Sequence, residues 1–128
     1  MALRISSVVI DSVDPRPLAA FWCEVLGYQI IDEDETGVSI GSRAHTGPVI
    51  DILLVPETKS IKNRLHLDLR ATESTTEAEL TRLYELGACR VDIGQAPDVS
   101  WVVLADPEGN EFCLLSQTIE EVEGSNSL

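Results

Sequence analysis

Apolar and polar positions along the chain fall into two successive blocks with the same internal order. Residues 5–12 form a β-branched, apolar run that predicts a strand. Asp14-Pro15 then signals a helix start, and Leu18, Phe21, Trp22 and Val25 recur at helical spacing until Gly27 stops the helix. Residues 28–32, 38–40 and 49–55 read as three strands, parted by the turn formers Glu35-Thr36-Gly37 and Thr46-Gly47-Pro48. The first block is therefore βαβββ.

The second block repeats it. Residues 65–69 alternate strictly between apolar and polar, residues 75–86 form a helix pattern with Thr and Glu near its start, and Gly87 closes it. Strands follow at 89–93, 101–105 and 111–115, the last two joined by Asp106-Pro107-Glu108-Gly109-Asn110, where proline presets a turn and glycine accepts a positive φ. A residue-level echo accompanies the order, because Leu26-Gly27 recurs as Leu86-Gly87 sixty positions on. The pattern predicts one α+β domain of tandem βαβββ repeats: a first module at 4–56, a polar linker at 57–64 and a second module at 65–116. An acidic tail at 117–128, with Glu120, Glu121 and Glu123 ahead of Gly-Ser-Asn-Ser, reads as frayed or partly disordered.

Composition narrows the function classes. The net charge of −13, with nine Lys and Arg, excludes a basic face for nucleic acid or an anionic membrane. No apolar run approaches the ~18 residues of a membrane span, and the N-terminus lacks a signal-peptide pattern, so the expected location is the cytoplasm. Cys23, Cys89 and Cys113 are odd in number and unrelated in spacing, which points to reduced thiols rather than to a disulfide framework. A phosphate-binding glycine loop, a nucleophile elbow and recognisably paired catalytic carboxylates are all missing from the sequence.

The chemistry concentrates in residues 65–70. Leu65, Leu67 and Leu69 share one face and are expected to pack on the helices, whereas His66, Asp68 and Arg70 share the other, where an imidazole and a carboxylate two residues apart can meet a ligand. The same alternation turns Ser7 and Val9 to that side on the first strand. His66 reads as a metal ligand, as a pocket hydrogen-bond partner or base, or as a structural residue; Asp68 either orients it or pairs with Arg70 in solvent. Cys113 is a zinc donor, a reactive thiol or a small core residue. Trp101 and Phe112 read as core or pocket-wall aromatics, His45 as an exposed loop residue, and Lys59, Lys62 and Arg64 as a basic cluster in the linker.

The βαβββ duplication, Asp14-Pro15, Phe21-Trp22, Leu26-Gly27 and the closing Asp106-Pro107-Glu108-Gly109-Asn110-Glu111-Phe112 run together resemble the glyoxalase, bleomycin-resistance and extradiol-dioxygenase (vicinal oxygen chelate) superfamily over residues 4–116. The resemblance implies a curved mixed β-sheet cup with helices outside, a homodimer, and a small organic molecule bound in the cup. It also implies divalent-metal ligands on the first and last strands of each module, here Ser7, Asp51 or Leu53, His66 and Cys113. His66 fits that pattern; Ser7 is a poor donor, and Cys113 biases a site toward softer ions such as zinc. A tentative ligand set is His66, Asp51 and Cys113, within a pocket of Ser7, Asp51, Leu53, His66, Asp68, Trp101 and Cys113. Two functions follow from the resemblance: a metal-dependent lyase, isomerase or dioxygenase, or a metal-free protein that sequesters a small compound, cationic if Asp51 and Asp68 line the pocket.

Overall fold

The computed structural model describes residues 1–91 and 101–126. The chain divides into two compact units, Met1–Lys59 and Ser60–Leu128. The first unit runs β1 (Ser7–Ser12), α1 (Pro15–Leu26), β2 (Gln29–Asp34), β3 (Gly37–Gly41) and β4 (Val49–Leu54). Its four strands lie in the order β1-β4-β3-β2, with β1 parallel to β4 and the other pairings antiparallel. A parallel neighbour needs a crossover, and α1 with the β2–β3 hairpin supplies it.

Helix α1 packs on this sheet with Leu18, Ala19, Phe21 and Trp22, all buried. The strands answer with Val38 and Ile40 on β3 and Ile50 and Ile52 on β4, which sit directly opposite each other as Val38↔Ile52 and Ile40↔Ile50. That period-2 alignment puts four branched side chains on one face and gives the helix an apolar floor. Pro15 occupies the first turn, and the Asp14 amide bonds to the buried Ser12 hydroxyl at 3.0 Å instead of Asp14 capping the helix with its own carboxylate.

The second unit repeats the plan with β5 (Leu67–Leu69), α2 (Thr76–Leu86), β6 (Cys89–Arg90), β7 (Trp101–Ala105) and β8 (Glu111–Leu115), and adds α3 (Ile119–Asn126). Its strand order is β5-β8-β7-β6, again with the outer parallel pair β5–β8. The remainder of the strand expected over 89–93 lies outside the described residues from 92 on. Thr75 caps α2, its hydroxyl accepting the Ala78 amide at 3.1 Å. Val103, Leu104, Phe112, Cys113 and Leu114 form the buried centre of this sheet.

The echo of Leu-Gly pairs has a structural cause. Gly27 (φ 67°) and Gly87 (φ 115°) both hold the left-handed conformation that ends a helix. In both, the next amide reaches back to the same relative carbonyl, Tyr28 to Cys23 and Ala88 to Leu83, each at 3.0 Å.

Two expectations are corrected. The strand predicted over residues 65–69 is confined to Leu67–Leu69, and Leu65 is 89% exposed rather than packed on a helix. Pairing with β8 begins at Leu67↔Phe112, and ahead of it the chain is held by a side chain instead, the buried Glu111 carboxylate accepting the Asn63 amide at 2.7 Å. The tail predicted to fray is helical over Ile119–Asn126. Thr118 and Glu121 make a reciprocal capping box, amide to side chain in both directions at 3.0 and 3.1 Å. The Ile119 amide bonds to the Ala71 carbonyl at 2.8 Å, and the Glu120 carboxylate accepts the Thr72 hydroxyl and the Glu73 amide at 2.7 and 2.8 Å. Among the described residues no helix is long and apolar enough to cross a membrane.

Candidate metal centre

The parallel pairing of β5 with β8 sets Asp68 directly opposite Cys113. Strands exchange side chains with their in-register neighbours, so this pairing turns a carboxylate and a thiol toward one another. His66 lies two residues before Asp68, on the same side of the chain, and its Nε2 stands 3.1 Å from Asp68 Oδ1. Among the described residues, ligand atoms of His66, Asp68 and Cys113 all lie within 4.8 Å of one another.

Burial divides the roles. Cys113 is 5% exposed, while the side chains of His66 and Asp68 are 42% and 51% exposed. The site is thus a buried sulfur at the bottom with a nitrogen and an oxygen donor at its mouth. Burial pushes the Cys113 thiol above its ordinary value, and the nearby Asp68 charge and a hydrogen bond to the Asp68 carboxylate push it the same way; the Lys62 ammonium opposes them. Asp68 is the centre of the cluster, 3.1 Å from His66 Nε2 and in register with Cys113.

The donor set suits a divalent ion. Two ligands at about 2.0–2.3 Å from one tetrahedral ion lie roughly 3.3–3.7 Å apart. The His66–Asp68 separation of 3.1 Å is already close to that, and the exposed His66 and Asp68 side chains can rotate the remaining distance toward the sulfur. Three protein donors leave a fourth tetrahedral position for water or a ligand oxygen.

Ser7 (opposite Val49), Asp51 (opposite Val9) and Leu53 (opposite Asp11) belong to the β1–β4 pair of the first unit. The Asp51 carboxylate there accepts a hydrogen bond from the Ser39 hydroxyl on β3. Trp101 opens β7 opposite Leu115 and is partly exposed. Asp68 was read from sequence as a partner of His66 and not as a donor beside Cys113. The signal that identifies it is the parallel register, which couples positions 68 and 113 and is invisible to local periodicity.

The family model for the glyoxalase-like domain matches residues 7–115. No curated protein matches the chain. Among solved structures, the chain is similar to a glyoxalase/bleomycin resistance protein/dioxygenase family enzyme from Burkholderia phytofirmans PsJN, at 22% identity and TM-score 0.65, covering 87% of this chain and 96% of that one. A variant of the genomically encoded fosfomycin resistance protein of Listeria monocytogenes, complexed with Mn(II) and 1S,2S-dihydroxypropylphosphonic acid, is similar at 16% identity and TM-score 0.69, covering 94% and 95% of the two chains. A glyoxalase-related enzyme from Fulvimarina pelagi matches at 17% identity and TM-score 0.65, covering 91% and 89%. These likenesses establish the shared α+β fold of two mixed four-stranded sheets with helices.

Proposed function

The chain belongs to the glyoxalase-like domain family, and on that premise we propose that it is a metal-dependent enzyme acting on a small molecule with adjacent oxygen atoms. The observation that carries the reading is the convergence of His66, Asp68 and Cys113 within 4.8 Å. In the Listeria neighbour, Mn(II) accompanies a small diol-bearing phosphonate, which is the kind of oxygen-rich ligand expected here.

His66, Asp68 and Cys113 would hold the ion. When bound, it would act as a Lewis acid that polarises a substrate oxygen and stabilises negative charge developing on it. The residues supply the rest. The exposed mouth formed by His66 and Asp68 admits the substrate. The Asp68 carboxylate, 3.1 Å from His66 Nε2, restricts the rotation of the imidazole ring.

A second reading is supported by the way the three side chains already satisfy one another through Asp68. It makes the protein a metal-free binder that sequesters a small molecule. Elemental analysis of protein purified without chelator separates the two. About one divalent ion per chain, lost in His66→Ala, is the outcome expected of the enzyme. Protein free of metal, which also takes up none on titration, would overturn that reading in favour of sequestration; ligand screening by thermal shift would follow.

A further inference from the structure

We propose that Cys113 enters the metal centre as a thiolate ligand, making the site zinc-selective. This rests on the metal-dependent reading above and specifies its ion. Three observations converge on it. First, the sulfur is the buried member of the cluster and the other two donors are exposed, so an ion held by all three sits against the β5–β8 pair with Cys113 beneath it. Second, the pair is in register at Asp68↔Cys113, which sets the backbones that carry the oxygen and sulfur donors directly opposite each other. Third, the segment that carries His66 is anchored on both sides, by the Asn63 amide on the Glu111 carboxylate at 2.7 Å and by the Leu67↔Phe112 pairing, which keeps the imidazole beside Cys113.

The donor chemistry then selects the ion. Thiolate is a soft ligand that favours zinc and disfavours manganese and magnesium, whereas sites built from imidazole and carboxylate alone accept the harder ions. A mixed N,O,S set at tetrahedral spacing, with one position left over, matches zinc. The Listeria neighbour was obtained with Mn(II), and the inference sets this chain apart from it in ion preference. Binding exchanges the Cys113 thiol proton for the metal, so one proton is released as each sulfur–metal bond forms.

The test uses the full chain and three ions as probes. Metal-free protein is titrated with Co(II) and read by absorption, and Zn(II) and Mn(II) are then competed against the bound cobalt. Expected results are an intense sulfur-to-cobalt charge-transfer band in the near ultraviolet, its displacement by Zn(II), and Zn(II) bound at least ~100-fold more tightly than Mn(II). Cys113→Ser should abolish the band and reduce the preference for zinc by at least about tenfold; a Cys23→Ser, Cys89→Ser double variant should keep the band, which assigns it to Cys113 even if Cys113→Ser folds poorly. Cobalt binding without the band, or equal affinity for Zn(II) and Mn(II), would overturn the thiolate assignment while leaving the metal-dependent reading intact. Failure to bind any of the three ions would overturn both.

Discussion

Asp68 Oδ1 lies 3.1 Å from His66 Nε2, and Asp68 stands in register opposite Cys113 across the β5–β8 ladder, so a single exposed carboxylate adjoins the two other donors of the cluster. Losing it removes a candidate ligand and the group that orients the imidazole. Asp68→Asn should therefore weaken metal binding by roughly 10–100-fold in a chelator competition. The melting temperature should barely move, because the side chain is half exposed and surface pairs contribute little to stability. Asp51→Asn tests the remaining residue of the expected ligand set: unchanged metal content would leave His66, Asp68 and Cys113 as the donors, and loss of metal would add Asp51 to them.

Asp106 is 3% exposed and organises the β7–β8 turn. One of its carboxylate oxygens accepts the Glu108 and Asn110 amides at 2.9 and 3.0 Å, and the Asn110 side-chain amide reaches the other at 2.9 Å. Asp106→Ala would leave those donors without their charged acceptor, at a cost of about 2–3 kcal/mol. Urea unfolding should show it as a lower midpoint at constant slope. Because the turn sets the entry of β8, the same variant should also weaken metal binding at Cys113.

Gly27 and Gly87 test the duplication. Each closes a helix in a conformation that an L side chain adopts only under strain, so alanine at either should destabilise the protein by about 1–2 kcal/mol. A Cβ at Gly27 would meet nothing within 4 Å, and one at Gly87 would lie 3.6 Å from Pro107 Cγ, an ordinary contact. Backbone strain is thus the common cause, and the loss should be the larger at Gly87, whose φ of 115° lies outside the left-handed basin that L residues reach, than at Gly27 with φ 67°. Equal losses would mean that the chain relaxes around Gly87.

How much of this was legible in the sequence follows from the range of the interactions. Gly27, Gly87, Thr75 and the alternation around Val38, Ile40, Ile50 and Ile52 are local signals, and the βαβββ order could be read from them. Helix α3 was read as a frayed tail because its glutamates and its Gly-Ser-Asn-Ser run dominated, although Thr118 and Glu121 already spelled a capping box. What holds α3 down is Ala71, Thr72 and Glu73, some 47 residues away in the chain. The Asp68–Cys113 pairing is non-local in the same sense, since no periodicity within either strand specifies which residues of the two come opposite.

The docking of α3 gives a prediction with a definite sign. Glu120 is held below its ordinary carboxylate value of 4.5, first by the Thr72 hydroxyl and then by the Glu73 amide. A carboxylate depressed in the folded state stabilises that state above its unfolded value and ceases to do so as pH falls through the folded one. Acidification below 4.5 should therefore loosen α3, seen as a falling protection factor for the Glu73 and Ile119 amides in hydrogen exchange. Glu120→Gln keeps an acceptor oxygen but has no charge to lose, so its protection should be lower at neutral pH and lack the acid step. Identical, pH-independent protection in both proteins would show instead that the Ile119–Ala71 backbone bond and the capping box carry the docking without Glu120.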